Sequence, residues 1–303
     1  MERTGASQMT SNESIETPSG KDKEGENFPV GSFLVRPDLR KHIHACYIFA
    51  RATDDISDNP LLEAEEKIRR LDLFAKALLD DADMTVPSVI PLRESLKETG
   101  ITPQHALDLL IAFKRDAVKL RYENWDELLD YCRYSASPIG RQVLALHGIG
   151  EEAWPASDAL CSILQIVNHI QDCADDYREL DRVYIPLDML ATNKSDPVDL
   201  DHESTTPGLR ATLTDMLLKL QPMMKTASSI PAQIPDWRLK MEISTIYVLA
   251  GKLIKLLHHR DPLCETVKLG RSAMLEAVFE GILRAPFYKK PVTPKDAHVS
   301  SSL

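Results

Sequence analysis

Residues 159–176, ALCSILQIVNHIQDCADD, decide the fold. At about 100° per residue on an α-helix, Leu160, Ile163, Leu164, Ile166, Val167 and Ile170 spread over most of the circumference. The segment therefore reads as a central, buried helix. One stripe breaks that pattern: Gln165, Asn168, Asp172 and Asp176 run down a single side, with Asp175 beside them. Taking carboxylates out of water is costly. The row must face a wet, ion-filled cavity or a set of basic partners.

An earlier segment repeats the design. In HIHACYIFARATDDISD (42–58), Ile43, Tyr47, Ala50, Asp54 and Asp58 fall in one narrow stripe that starts apolar and becomes acidic. Such a stripe points at the core or at a cleft cut into it. Arg51 sits one turn before Asp54, and Asp55 flanks it. One D-D-x-x-D row alone has a bland explanation, an exposed helix face. Two rows with i, i+4 spacing on largely apolar helices favour a functional reading.

Outward from these segments, helical periodicity dominates, and no alternating strand pattern or Asn-Gly hairpin signal competes with it. The spacing predicts helices over about 37–57, 61–81, 87–98, 103–120, 125–135, 138–148, 151–180, 209–226, 236–259 and 267–283. Thr102-Pro103 reads as an N-cap followed by a first-turn proline, and Asn124 as a cap followed by carboxylates. Residues 192–208 read as a polar loop. Residues 1–27 hold too few large apolar side chains to offset their ordering entropy, so a disordered tail is expected there and again over 289–303. The expected architecture is all-α, with one helical domain over 28–288.

Composition narrows the function. The chain of 303 residues carries a net charge of −10 and is 43% hydrophobic. An acidic balance disfavours nucleic acid as a partner, and tight electrostatic docking on anionic lipid as well. Five scattered cysteines without a C-x-x-C pair read as buried free thiols in a reducing compartment. No run approaches ~18 apolar residues, and the N-terminus lacks a basic-then-apolar leader, so a cytoplasmic protein is expected. No glycine-rich phosphate loop, H-E-x-x-H, G-x-S-x-G or dinucleotide fingerprint is present, so NADPH is not expected.

Paired carboxylate rows suit magnesium. Mg²⁺ takes octahedral oxygen, keeps several waters, and is held by one or two carboxylates plus substrate phosphate. Two facing rows can hold two or three ions that clamp a diphosphate and neutralise it as a leaving group. Carbon–oxygen heterolysis would then leave a carbocation in an apolar pocket. Near the second row, Arg182 is placed to reach a phosphate oxygen or to pair near a helix end, and Tyr184 and Pro186 follow it. Tyr131 reads either as a leaving-group or cation-stabilising residue or as a core tyrosine. Asp116 and Arg121 read as an ion pair or as support for the site.

Four stretches carry a resemblance: ENFPVGSFLVRPDLR (26–40), FARATDDISD (49–58), RYENWDELLDYCRYSASPIGR (121–141) and LQIVNHIQDCADDYRELDRVYIP (164–186). Together they resemble the squalene/phytoene synthase family. The resemblance implies an isoprenoid-synthase-type helical bundle with a central cavity. It implies magnesium on Asp54, Asp58, Asp172 and Asp176, diphosphate support from Gln165 and Asn168, and phosphate contacts from Ser32, Arg51 and Arg182. Tyr184 is taken with the substrate-binding set, and Tyr131 with Asp54 and Asp172 as catalytic. ENFPVGS and YCRYSASPIGR look most like the hopanoid branch, which ionises presqualene diphosphate and lets water capture the cation. Condensation of two farnesyl diphosphates is the alternative within the family, and a non-catalytic assembly factor the alternative outside it. The partners implied are a prenyl diphosphate, other enzymes of the same pathway and, for an apolar product, transient contact at the inner membrane. Where many members place Gly-Arg soon after the last aspartate, this chain runs about a residue longer, which leaves Asp175 and Asp176 as competing ligands.

Overall fold

The computed structural model describes residues 15–16 and 36–288. Helices account for its order. In chain order they are α1 (Arg40–Ser57), α2 (Ala64–Leu79), α3 (Ile90–Thr99), α4 (Gln104–Asp116), α5 (Trp125–Ser135), α6 (Ser137–Leu146), α7 (Trp154–Gln171), α8 (Cys173–Leu180), α9 (Leu187–Thr192), α10 (Pro207–Ala227), α11 (Ile230–Gln233), α12 (Trp237–His259) and α13 (Arg271–Arg284). Among the described residues the sole β-type pairing is one parallel bridge, Arg121 with Val183.

The apolar faces collect into two main cores. A smaller one joins α1, α2, α3 and α4 through Phe49, Ile56, Leu71, Phe74, Leu92 and Leu110. A larger one surrounds α7, whose Ile163, Ile166, Val167 and Ile170 are buried almost completely. As its all-round apolarity requires, α7 packs on α5, α6, α10 and α12. Small residues set some of these distances. A Cβ at Gly140 of α6 would lie 2.6 Å from Ser157 Oγ and Cys161 Sγ of α7, so the pair approaches closely only because that side chain is absent.

Local chemistry explains most boundaries. Asn124 caps α5, its side chain accepting from the Glu127 amide at 3.0 Å, while the Glu127 carboxylate accepts from the Glu123 amide at 2.6 Å. Gly100 ends α3 in the left-handed conformation at φ 70°. At the start of α4 the cap position is Pro103 rather than Thr102, whose hydroxyl instead accepts from the Gln104 amide at 3.2 Å.

Several expectations change. The helix expected over 151–180 begins with a 3₁₀ turn at Glu151–Ala153 and breaks at Asp172 (φ −101°, ψ 8°), giving α7 and α8. α4 stops at Asp116, and after a turn at 117–118 the carbonyls of Leu120, Tyr122 and Glu123 accept from the amides of Val183, Leu187 and Asp188. The polar loop over 192–208 holds a 3₁₀ turn at Pro197–Asp201 closed by a capping box on Asp196. The cysteines are free, but only Cys132 and Cys173 are buried; Cys46 and Cys161 are half-buried and Cys264 is exposed. Of the tail expected over 1–27, Ile15 packs against the smaller core and Glu16 accepts from the Ser88 amide at 2.7 Å. The remaining tail residues and Ser32 lie outside the described residues.

Candidate active site

A cavity of about 300 Å³ lies at the seam between the two cores. α1, α4 and α6 supply most of its wall, chiefly Tyr47, Phe49, Leu109, Phe113, Ile139 and Val143. The stripe read from sequence on α1 faces it directly: Ile43, Tyr47, Ala50 and Asp54 all line the space, with Arg51 beside Asp54. The cavity is apolar apart from a few groups, and its acidic end is Asp54.

Around Asp54 the charges are packed tightly. Arg51 bridges Asp54 at 3.3 Å and Asp55 at 2.7 Å. The Asp54 side chain keeps 37% of its surface, opening into the cleft. Burial, followed by the neighbouring Asp58 charge, raises its pKa well above the usual carboxylate range, against the pull of Arg51. In the second row, Asn168 donates to Asp172 at 2.9 Å, and Asp172 is raised first by burial and then by Asp176. Gln165, Asn168, Asp172 and Asp176 are all half-buried, as the stripe on the wheel requires. Asp175 is exposed, whereas Asp176 lies 3.9 Å from Nδ1 of buried His169.

The two rows are linked by the segment after α8. Asp181 turns the chain at φ 51°, where Arg121 pairs with it at 2.5 Å. Arg182 then points inward. It donates to Asp58 Oδ1 at 2.7 Å and to the Ser57 carbonyl at 3.0 Å, and its own amide donates to the Asp176 carbonyl at 3.0 Å. One residue thus touches the last aspartate of both rows. Burial opposes the charge on Arg182, but Tyr184, Asp116 and Asp58 around it raise its pKa overall. Its Nε is buried without a partner.

Behind Arg182 lies a buried hydroxyl and aromatic cluster. Asp116 accepts from Tyr131 at 2.7 Å and from Tyr184 at 2.9 Å. Tyr184 stacks on His169 at 3.6 Å between centroids and on Tyr122 at 5.5 Å. Gln165 completes the chain by contacting His169 Nε2 at 3.1 Å. Burial pushes both phenols up, so Tyr131 and Tyr184 stay protonated and act as donors. Asp116 and Arg121 do not pair with each other: the first anchors the phenols, the second holds the Asp181 turn.

The donor set fits magnesium. Asp54, Asp58, Asp172 and Asp176 offer only oxygens, and within each row burial and then crowding of like charge raise one carboxylate, a strain that a divalent cation relieves. Among the described residues no three His, Cys, Asp or Glu side chains already converge on one point.

His169 and Tyr122 went unnoticed as site residues in the sequence. His169 sits among isoleucines, and only its i, i+4 relation to Gln165 marks it. Tyr122 reads as an ordinary core aromatic.

Known proteins resemble this chain in sequence and fold. A hydroxysqualene synthase of Rhodopseudomonas palustris is 43% identical over 92% of this chain and 96% of its own length. One from Sinorhizobium fredii is 42% identical over 85% of this chain and 87% of its own. Squalene synthase HpnC from Alicyclobacillus acidocaldarius superposes with a TM-score of 0.67 at 28% identity, over 75% of this chain and 85% of that one. A dehydrosqualene synthase shares the fold, with a TM-score of 0.72 at 17% identity over 84% of this chain and 90% of that one. The squalene/phytoene synthase profile matches residues 21–273. With both aspartate rows inside that span, the chain belongs to the squalene/phytoene synthase family.

Proposed function

We propose that this enzyme ionises presqualene diphosphate with magnesium and lets water capture the cation, giving hydroxysqualene. The observation that carries this reading is the identity of 41–43% to three hydroxysqualene synthases over most of each chain. The apolar cavity ending at Asp54 supports it physically, because a cation formed there is screened from bulk water.

The catalytic body is taken as 28–288, with tails at 1–27 and 289–303. Asp54, Asp58, Asp172 and Asp176 would hold two or three magnesium ions, which supply charge neutralisation of the departing diphosphate. Arg51, Gln165 and Asn168 orient the diphosphate oxygens, and Ser32 is assigned with them. Arg182 joins them as a phosphate contact through the guanidinium it shares with Asp58. Tyr131 is assigned with the catalytic set and Tyr184 with the substrate-binding set, Asp116 holding both hydroxyls beside Arg182. Their hydroxyl protons are engaged by Asp116, so neither takes a proton from the substrate. Transfer of hydride is not part of this scheme, and no nicotinamide is required. The product leaves a protein working in the cytoplasm at the edge of the inner membrane, beside other enzymes of the same pathway.

Mass spectrometry of products tests the assignment. Purified enzyme with Mg²⁺ and presqualene diphosphate, without NADPH, is expected to give hydroxysqualene. Accumulation of presqualene diphosphate or squalene from farnesyl diphosphate, with no hydroxysqualene from presqualene diphosphate, would replace it with the condensing reaction. No turnover of either substrate would favour an assembly factor.

A further inference from the structure

The wall of the cavity is mostly apolar, yet three of its polar atoms have nothing to bond. His105 Nδ1 on α4, Ser135 Oγ at the end of α5 and Gln142 Nε2 on α6 are buried with no hydrogen-bond partner among the described residues. All three residues line the same space. His105 and Gln142 are each only 6% exposed. The Gln142 amide lies against the Cys46 thiol, which is a weak partner. Burial, and then the Arg141 charge, lower the pKa of His105, so its ring is neutral and keeps one nitrogen that accepts. Buried polar groups in native proteins are satisfied as a rule, and an orphan calls for an explanation.

Water is the partner that fits. Purely apolar cavities stay dry, whereas polar atoms on the wall of a roomy one hold ordered water. The space of about 300 Å³ is ample for several molecules. Gln142 supplies a donor, Ser135 a hydroxyl that donates or accepts, and His105 a ring nitrogen. Their places along the helices give the set a direction. Ser135 lies one turn, about 6 Å, beyond Tyr131, and Tyr131 bonds Asp116 at the charged end. Gln142 meets Cys46, about 12 Å along α1 from Asp54. His105 lies about 16 Å along α4 from Asp116. The orphan atoms therefore run from near the aspartates, at Ser135, into the depth of the cavity.

We propose that Ser135 and Gln142, with His105 deeper, hold the water that captures the cation. The inference rests on the hydroxysqualene reading, which asks for a cation kept from bulk water that still meets one water molecule. A lone pair of the water at Ser135 forms the carbon–oxygen bond to the cationic carbon. The proton that the resulting oxonium sheds passes to the diphosphate released in the same pocket. Nothing is oxidised or reduced, so no hydride donor enters. A cation that finds no held water loses a proton from a neighbouring carbon and ends as a hydrocarbon. The three side chains act through the water and are positioning residues.

The ratio of alcohol to hydrocarbon formed from presqualene diphosphate by the full-length enzyme with Mg²⁺, each referred to pyrophosphate released, tests it. Wild type is expected to give the alcohol. S135A/Q142L is expected to lower the ratio about tenfold, the worth of roughly one hydrogen bond to water, with hydrocarbon making up the difference. A purely structural role would lower alcohol and pyrophosphate together and leave the ratio unmoved. S135A alone is expected to shift the ratio the same way, and it carries the test if the double variant does not fold. A crystal structure of wild type with Mg²⁺ and pyrophosphate is expected to show ordered water within hydrogen-bond distance of Ser135 Oγ and Gln142 Nε2. An unchanged ratio in the variants, or no water on those atoms, would overturn the inference and leave the reaction as assigned. A wild type that makes no alcohol from presqualene diphosphate would overturn the reaction and the inference together.

Discussion

Asp116 holds two phenols and sits beside an arginine, yet burial wins and its pKa rises from 3.8 to about 6. In the folded state it therefore keeps a proton that the unfolded chain releases near pH 4. Its contribution to stability is present below that value and is lost as pH climbs through about 6, by at most about 3 kcal/mol. Urea denaturation at pH 4.5 and 7.5 is expected to show a smaller pH difference in Asp116→Asn than in wild type. The aspartates of the rows answer to a different assay. Asp54→Asn or Asp172→Asn is expected to lower turnover by roughly 10²–10³-fold, the cost of removing one preorganised charge-stabilising group, with circular dichroism unchanged. Mass spectrometry of product against time reads the rate.

Among the elements, α13 on α12 gives the sharpest test of packing. Gly281→Ala places a methyl against the Thr245 backbone, which cannot give way as a side chain can. The expected loss is about 1–3 kcal/mol, read as a lower melting temperature. Elements with a strong period were legible in the sequence. The α1 stripe from Ile43 to Asp58 named four cavity-lining residues, because a helix keeps its period whatever packs on it. The break at Asp172 was not legible, since Gln-Asp-Cys-Ala carries neither proline nor glycine and the kink belongs to the packing around it. α9 was hidden behind Pro186 and is too short to show a period. Partners were legible least. Arg182 was read as reaching phosphate or as pairing near a helix end, and its bond to Asp58 depends on bringing together residues far apart in the chain. The triad of Asp116, Tyr131 and Tyr184 is invisible for the same reason.

For the whole molecule, α1 with the first row packs into the smaller core and α7 with the second row into the larger, and Arg182 ties the ends of the two rows together. A ligand engaging both rows ties the halves together and is expected to stabilise the fold by mass action. Thermal unfolding with Mg²⁺ and pyrophosphate together should rise by several degrees over either alone, and excess EDTA should abolish the increment.

The Arg182–Asp58 bridge carries a consequence for how the resting enzyme behaves. The guanidinium serves as a resident counter-ion, so the first row never stands wholly uncompensated between turnovers. An incoming cation must displace that partner or share its oxygen, which tempers metal affinity. Replacing Arg182 with a neutral side chain would thus leave Asp58 hungrier for metal while costing the diphosphate one of its contacts.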